Sequence, residues 1–314
     1  MNTTKDGGVD VEQAQRFLAH HLTREPADVA LIGEGAWSRC FGFRLGEEAL
    51  VIRFGKHVDD FQKDQCAYAY AVPGLPIPKV LEIGTAFDGY YAISTRAHGV
   101  PLESLGASEW LAIIPAVVAA LEAMRLTDLS ATTGVGGWDM AGKANDTSWA
   151  SHLLAVAEEN PTQRTYGWRA RLRASPEADA TFRWGFDLLK QVVRDSVPRS
   201  LIHGDLINRN VLVNAAHITG VFDWGCSRFG DHLYDLAWFE FWAPWFPKLD
   251  IHALRLALEK RWHEVGYVPH DKESRLLSCY LHIGLDHLGY NAYLGNASAL
   301  ASTVARMRTL MANQ

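Results

Sequence analysis

The stretch Leu201 to Trp224, LIHGDLINRNVLVNAAHITGVFDW, holds three oxygen-bearing side chains whose placement could do chemistry: Asp205, Asn210 and Asp223. Val211-Leu212-Val213 and Ile218 to Phe222 read as strands joined by a turn around Asn214 to His217, because short apolar runs broken by turn formers make hairpins. A hairpin brings the chain back to where it started. Asn210, just before one strand, and Asp223, just after the other, are therefore expected at the same end. Asp205 lies on the loop that enters the hairpin. Three oxygens gathered at one mouth suit a divalent cation and a phosphate, since hard cations take oxygen ligands.

Composition bounds what such a site could belong to. The chain has 314 residues, 48% hydrophobic and 21% charged, with a net charge of −6. That is ordinary for a globular protein and enough for one large domain or two lobes with a substantial core. The negative balance argues against general nucleic-acid binding and is compatible with a cationic ligand. Cys40, Cys66, Cys226 and Cys279 are scattered without CxxC spacing, so reduced thiols are expected rather than a metal or disulfide framework. No apolar run approaches a membrane span, and the N-terminal MNTTKDGGVDVEQ lacks a signal peptide's hydrophobic core. A cytoplasmic monomer with no nucleic-acid or membrane partner is expected.

The elements that must position the three oxygens follow in chain order. Residues 10–22 have apolar positions at Val11, Phe17, Leu18 and Leu22, the pattern of an amphipathic helix. Residues 29–54 turn β-like, with a glycine-bearing loop and a hairpin turn at Gly46-Glu47-Glu48. Asp59 to Tyr70 reads as a helix closed by Pro73, Pro76 and Pro78, and two further strands, Lys79 to Ile83 and Gly89 to Thr95, follow. Beyond residue 97 the texture changes to helices: Leu105 to Leu126 with a kink expected at Pro115, Ser148 to Glu159, Ala178 to Val193, Asp231 to Phe241, Ile251 to Val265, Glu273 to Leu294 and Ala297 to Met311. Residues 134–145, rich in glycine, read as a loop.

His203-Gly204-Asp205, Asn210 and Asp223-Trp224 resemble the catalytic signature of the aminoglycoside phosphotransferases, kinase-fold enzymes with Asp-Trp where protein kinases have Asp-Phe-Gly. The likeness runs along nearly the whole chain. Leu75–Gly84, Tyr90–Leu102, Thr147-Ser148-Trp149, Phe229–Trp245 and His282–Leu288 look most like the hygromycin B branch, which phosphorylates a 4-hydroxyl of an aminoglycoside. The resemblance implies an α+β, protein-kinase-like two-lobe fold. Residues 1–97 would be a β-rich nucleotide-binding lobe with one helix, and 98–314 a larger, mainly helical lobe with the catalytic loop and acceptor site. It also implies ATP or GTP as donor, Mg2+ as cofactor and a cationic antibiotic as acceptor. The alternatives are a kinase for another small hydroxylated molecule and a catalytically silent kinase-fold binding protein.

In phosphoryl transfer the protein mainly positions reactants and offsets charge. Asp205 would accept the acceptor hydroxyl's proton, and Asn210 and Asp223 would hold the metal. Asn and Asp also populate polar turns of buried hairpins; the three together at kinase spacing favour the functional reading. His203 is expected to support the loop. Gly33 and Gly35, with Ser38, resemble the loop over the phosphates, where glycine lets the backbone approach. An ordinary hairpin turn is the competing reading. Arg53 takes the place of the kinase lysine, with Asp64 as its acid and Asp60 as the alternative; the competing reading is an exposed cation on an edge strand. Thr95 and Ala97 would offer backbone groups to the adenine edge. Asp231 and Asp235 read as helix caps or as tethers of the catalytic loop. On the acceptor side stand Trp238, Glu240, Trp242 and Asp286, with core packing the competing reading for the tryptophans. Asp286 interrupts an apolar helix, where a buried acid needs a partner. Arg209, Cys226, Trp238, Glu240 and Ala243 depart from the hygromycin branch and flank the catalytic Asp and the acceptor side.

Overall fold

The computed structural model describes residues 8–35 and 37–312; Ala36, in the glycine-bearing loop, lies outside them. In chain order the elements are α1 (Val11–His21), β1 (Ala27–Glu34), β2 (Ser38–Leu45), β3 (Glu48–Gly55), α2 (Val58–Ala67), β4 (Val80–Ala86), β5 (Gly89–Thr95) and β6 (Val100–Pro101). Then come α3 (Ala107–Arg125), β7 (Val135–Trp138), β8 (Ala144–Asp146), α4 (Trp149–Leu154), α5 (Trp168–Arg173), α6 (Pro176–Val192) and β9 (Ser200–Ile202). The chain ends with β10 (Val211–Asn214), β11 (His217–Val221), β12 (Arg228–Gly230), α7 (Leu233–Trp242), α8 (Ile251–Glu264), α9 (Lys272–Leu294) and α10 (Ala297–Ala312).

Two compact units result. One comprises the chain through Leu102 together with Asn210–Gly225; the other comprises Glu103–Arg209 and the chain from Cys226 onward. This differs from a single cut at residue 97: the hairpin carrying Asn210 and Asp223 folds with the N-terminal unit.

In the first unit, five antiparallel strands run in the order β1-β2-β3-β5-β4. Strand residues alternate faces, so Leu50, Ile52 and Phe54 of β3 join Phe41, Phe43, Tyr91 and Ile93 under α1, which contributes Ala14 and Leu18. Val51 and Arg53 are left for the opposite face. Asp10 starts α1 with a capping box, its carboxylate accepting from Gln13 N–H while the Gln13 side chain accepts from Asp10 N–H, both at 2.8 Å. A second sheet, β11-β10-β6, belongs to the same unit. Gly99 leads into it at φ 151°, where a Cβ would meet the Val213 carbonyl oxygen at 2.3 Å.

The second unit is helical around α9, which packs against α5, α6, α7 and α10. A sheet in the order β8-β7-β12-β9 adjoins them. Several expectations are corrected here. Residues 134–145 form the hairpin of β7 and β8 rather than a loop, and β6, β9, β12 and α5 went unread. Helix α3 carries Pro115 inside it. It is 19 residues long, and an 18-residue window of it, with a mean hydropathy of 1.5, is apolar and long enough to cross a membrane by length and composition, against the expectation that no run is. Half of it is buried inside the fold, the property of a core helix.

Candidate active site

The residues expected to serve the phosphate donor, apart from the loop that carries Asp205, lie in the first unit. Hairpin pairing of Val211 with Val221, and the Phe222 N–H donating to the Asn210 carbonyl at 3.0 Å, bring Asn210 and Asp223 to one end as the sequence implied. Asn210 is buried and Asp223 exposed. Among the described residues no three His, Cys, Asp or Glu side chains group as a metal cage. One amide oxygen and one carboxylate nevertheless fit Mg2+, which takes one or two protein ligands and completes its shell with water and phosphate oxygens.

Arg53 is not an exposed edge cation. It lies on β3, inside the sheet, and pairs with Asp64 of α2, both largely buried. Burial alone would lower the Arg53 guanidinium, but the Asp64 and then the Asp223 carboxylates raise it above its ordinary value. Burial raises Asp64 against the opposing pull of Arg53. The second oxygen of Asp64 accepts the backbone N–H of Trp224 at 2.7 Å. The choice between Asp64 and Asp60 is thereby resolved in favour of Asp64, while Asp60 faces Gly225.

Gly33 is the next-to-last residue of β1 and Gly35 lies just beyond its end, with the Gly35 N–H donating to the Ser38 carbonyl at 2.9 Å. A Cβ at Gly33 would meet nothing nearer than 3.8 Å, and at Gly35 nothing nearer than 3.9 Å. Neither glycine has positive φ. The fold itself therefore does not require glycine at these positions. Gly35 and Ser38 line a concavity of about 430 Å³ with Trp37, Arg39, Gly55 and Lys56. Glu34, whose charge would oppose phosphate, is paired with Arg39 at 3.1 Å. Thr95 and Ala97 line another, of about 350 Å³, with Pro76, Ile77, Pro78 and Arg96. The Thr95 N–H donates to the Lys79 carbonyl at 3.0 Å and is already used.

Asp205 and the residues expected on the acceptor side lie in the second unit. His203 is buried and its Nδ1 accepts the Asp205 N–H at 3.2 Å, the supporting role expected of it. Asp235 accepts the N–H groups of His203 at 3.0 Å and Gly204 at 2.8 Å. It is the loop's tether rather than a cap. Asp231 forms a two-pronged pair with Arg275 at 2.6 and 2.7 Å and accepts the Leu233 N–H. Sequence reasoning missed Asn208, which donates to Asp205 Oδ1 at 2.5 Å. Its only signal was its place two residues before Asn210.

The acceptor candidates separate. Trp238 and Trp242 flank the His287 ring at 5.3 and 4.6 Å, and their indole N–H groups are buried without a hydrogen-bond partner among the described residues. Asp286 is exposed, contrary to the burial argued for it. Tyr290 is raised first by burial, then by Cys226, Asp205 and Asp286, so Asp286 and Asp205 act on one ring. Glu240 is turned inward. Its carboxylate accepts from Tyr280 and, at 3.2 Å, from Arg255, and burial raises it. All four cysteines are free thiols, and burial pushes Cys40 up to about 11.

A model of the phosphotransferase enzyme family matches residues 59–268. The chain is 33% identical over 273 residues to the hygromycin-B 4-O-kinase of Escherichia coli, covering 86% of this chain and 76% of that protein. A thermostable mutant of aminoglycoside phosphotransferase APH(4)-Ia in its apo form is similar in structure, with a TM-score of 0.82 and 30% identity over 95% of this chain and 98% of the other. A ternary complex of such a mutant with AMP-PNP and hygromycin B gives a TM-score of 0.79 and 31% identity over 94% and 96%.

Proposed function

The chain belongs to the aminoglycoside phosphotransferase family of kinase-fold enzymes, and on that premise we propose that it transfers the γ-phosphoryl group of ATP to a hydroxyl of hygromycin B, a reaction that would confer resistance. One observation carries the phosphotransfer: Asp64 joins Arg53 to the backbone beside Asp223, in the unit that also holds Asn210. The acceptor follows from the name of the relative, hygromycin-B 4-O-kinase.

In this reading the unit through Leu102 with Asn210–Gly225 binds nucleotide, and the other binds the acceptor. Arg53 pairs with phosphate oxygens, and Gly33, Gly35 and Ser38 cover them with backbone and hydroxyl donors. Asn210 and Asp223 would hold Mg2+, which would offset the charge on the phosphates. The Thr95 carbonyl and the Ala97 N–H read the purine edge. Asp205 orients the acceptor hydroxyl and takes its proton as the oxygen attacks phosphorus and the nucleoside diphosphate leaves. Trp242 and Asp286 meet the antibiotic, aromatic face against sugar ring and carboxylate against ammonium, while Trp238 is buried in the core and takes the packing role that competed for it. Glu240 supports this wall from behind.

An acceptor screen with labelled ATP and Mg2+, repeated with GTP, tests the proposal. Transfer to hygromycin B is expected. Transfer to another hydroxylated acceptor and none to hygromycin B would overturn the substrate and spare the kinase. No transfer to any acceptor would leave the silent binding protein.

A further inference from the structure

Between Asp205 and Asn210 the chain passes through two consecutive non-glycine residues in the left-handed region, Asn208 at φ 86° and Arg209 at φ 67°. A Cβ makes that conformation unfavourable, and it persists only where the surroundings impose it. Two hydrogen bonds supply the constraint. The Asn208 amide donates to Asp205, and the Arg209 N–H donates to the Glu103 carboxylate.

Glu103 is remote from the loop, 106 residues away in sequence. It is the first residue of the second unit, inside the 3-10 turn Leu102–Ser104 and directly after the buried Leu102. Its position is therefore set independently of the loop it grips. Its other carboxylate oxygen, Oε2, is buried without a hydrogen-bond partner among the described residues. Desolvating a carboxylate oxygen is unfavourable, so the fold keeps this acid where an isolated stability argument would not.

We infer that Glu103 is a positioning residue for phosphoryl transfer. By accepting the Arg209 N–H it holds the left-handed pair, and through that pair it fixes the grip of Asn208 on Asp205. The inference rests on Asp205 being the group that orients the acceptor hydroxyl. It requires a hydrogen-bond acceptor at residue 103 rather than a negative charge.

The experiment measures kcat, KM for hygromycin B and Kd for MgATP in E103A, E103Q, N208A, E103A/N208A and D205N, with far-UV circular dichroism on each. E103A should lose roughly 10- to 100-fold in kcat, the scale of a misplaced catalytic group, with Kd for MgATP within about twofold of wild type. E103Q keeps the acceptor oxygen and should recover to within about threefold. N208A should reproduce the loss, and the double variant should be no worse than E103A, because residues acting as one unit are non-additive. E103A turning over within twofold of wild type would overturn the inference. So would E103Q no better than E103A, or additive losses in the double variant. Should E103A fail to fold, E103Q and N208A still decide: an impaired E103Q or an unimpaired N208A overturns it. Wild-type turnover in D205N would instead remove the reading of Asp205, whatever Glu103 does.

Discussion

Asp64 accepts the backbone N–H of Trp224 at 2.7 Å although 160 residues separate them. The same carboxylate holds Arg53 through its other oxygen. Trp224 directly follows Asp223, itself a non-glycine residue at φ 65°, so Arg53 and the backbone beside Asp223, the proposed phosphate-pairing cation and metal ligand, share one anchor. A change at Asp64 should therefore reach both.

Asp64→Ala leaves Arg53 buried and unpaired and frees the Trp224 amide. Breaking a buried pair from one side costs about 3–5 kcal/mol, so a fall in thermal midpoint is expected together with a rise in KM for ATP of ~10-fold or more. Asp64→Asn keeps an oxygen for Trp224 and should lose nucleotide affinity with a smaller loss of stability. Thermal melts and ATP titrations in parallel check this. Unchanged KM for ATP in both variants would contradict the shared anchor.

The two glycines Gly35 and Gly99 should respond in opposite ways to alanine. At Gly35 a Cβ has 3.9 Å of room, whereas at Gly99 it would strike Val213 at 2.3 Å with φ at 151°. Gly35→Ala should leave stability within about 0.5 kcal/mol while raising KM for ATP several-fold, because the methyl occupies space the phosphates need. Gly99→Ala should lower the thermal midpoint. A Gly35→Ala protein with normal KM would return that loop to an ordinary turn.

Asp235 links pH to catalysis. Burial pushes its carboxyl from 3.8 up to about 6, although the N–H groups of Gly204 and His203 and the charge of Arg228 pull it down. A folded carboxyl that holds its proton more tightly than the unfolded chain contributes stability fully below pH 3.8, and that contribution is lost as pH rises to about 6. Its size is about 3 kcal/mol at 1.36 kcal/mol per unit. Activity should run the other way, since the ionised carboxylate is the better acceptor for the loop's N–H groups. An acid limb in kcat near pH 6 is expected. Asp235→Asn should lower kcat and abolish that limb, and its stability relative to wild type should rise between pH 4 and 7. A limb near pH 6 that persists in Asp235→Asn would assign it elsewhere.

Asp286 and Glu240 should part company in kinetics. Asp286→Asn removes an exposed charge that acts on the same phenol as Asp205, and should raise KM for hygromycin B with little change in melting. Glu240→Gln disturbs a network with Tyr280 and Arg255, and Arg255 also holds Glu259 and Glu273. It should lower the thermal midpoint more than it changes KM. The reverse pattern would exchange their roles.

These residues also show what could be read from sequence. The 210–223 hairpin was legible because short apolar runs broken by turn formers make hairpins, whereas Arg53 and its acid came from the resemblance to kinases, which left Asp64 and Asp60 both open until the structure paired Arg53 with Asp64. Asp286 was misread because apolar neighbours in sequence do not share its helical face: Leu285 and Leu288 are buried and Asp286 is not. Residues 134–145 resembled a loop because glycine weakens strand signals, while Trp138 stacked on Phe229 at 5.5 Å anchors the strand. Glu103 and Asp235 act by accepting backbone N–H groups, and Asn208 by gripping a side chain three residues away. Such bonds leave no spacing to recognise.

The inclusion of Asn210–Gly225 in the first unit also bears on how the chain is made. A ribosome that has released residues through Leu102 has delivered the five-stranded sheet, but β6 still lacks its partner β10, and Asp64 lacks the Trp224 amide. Domains emerging N-terminal first can fold as they appear; here the first half must wait until Gly225 is clear, with most of the second unit's preceding segment already outside. Protease resistance of that half should thus arise late in synthesis, and a fragment ending at residue 102 should be a poor surrogate for it.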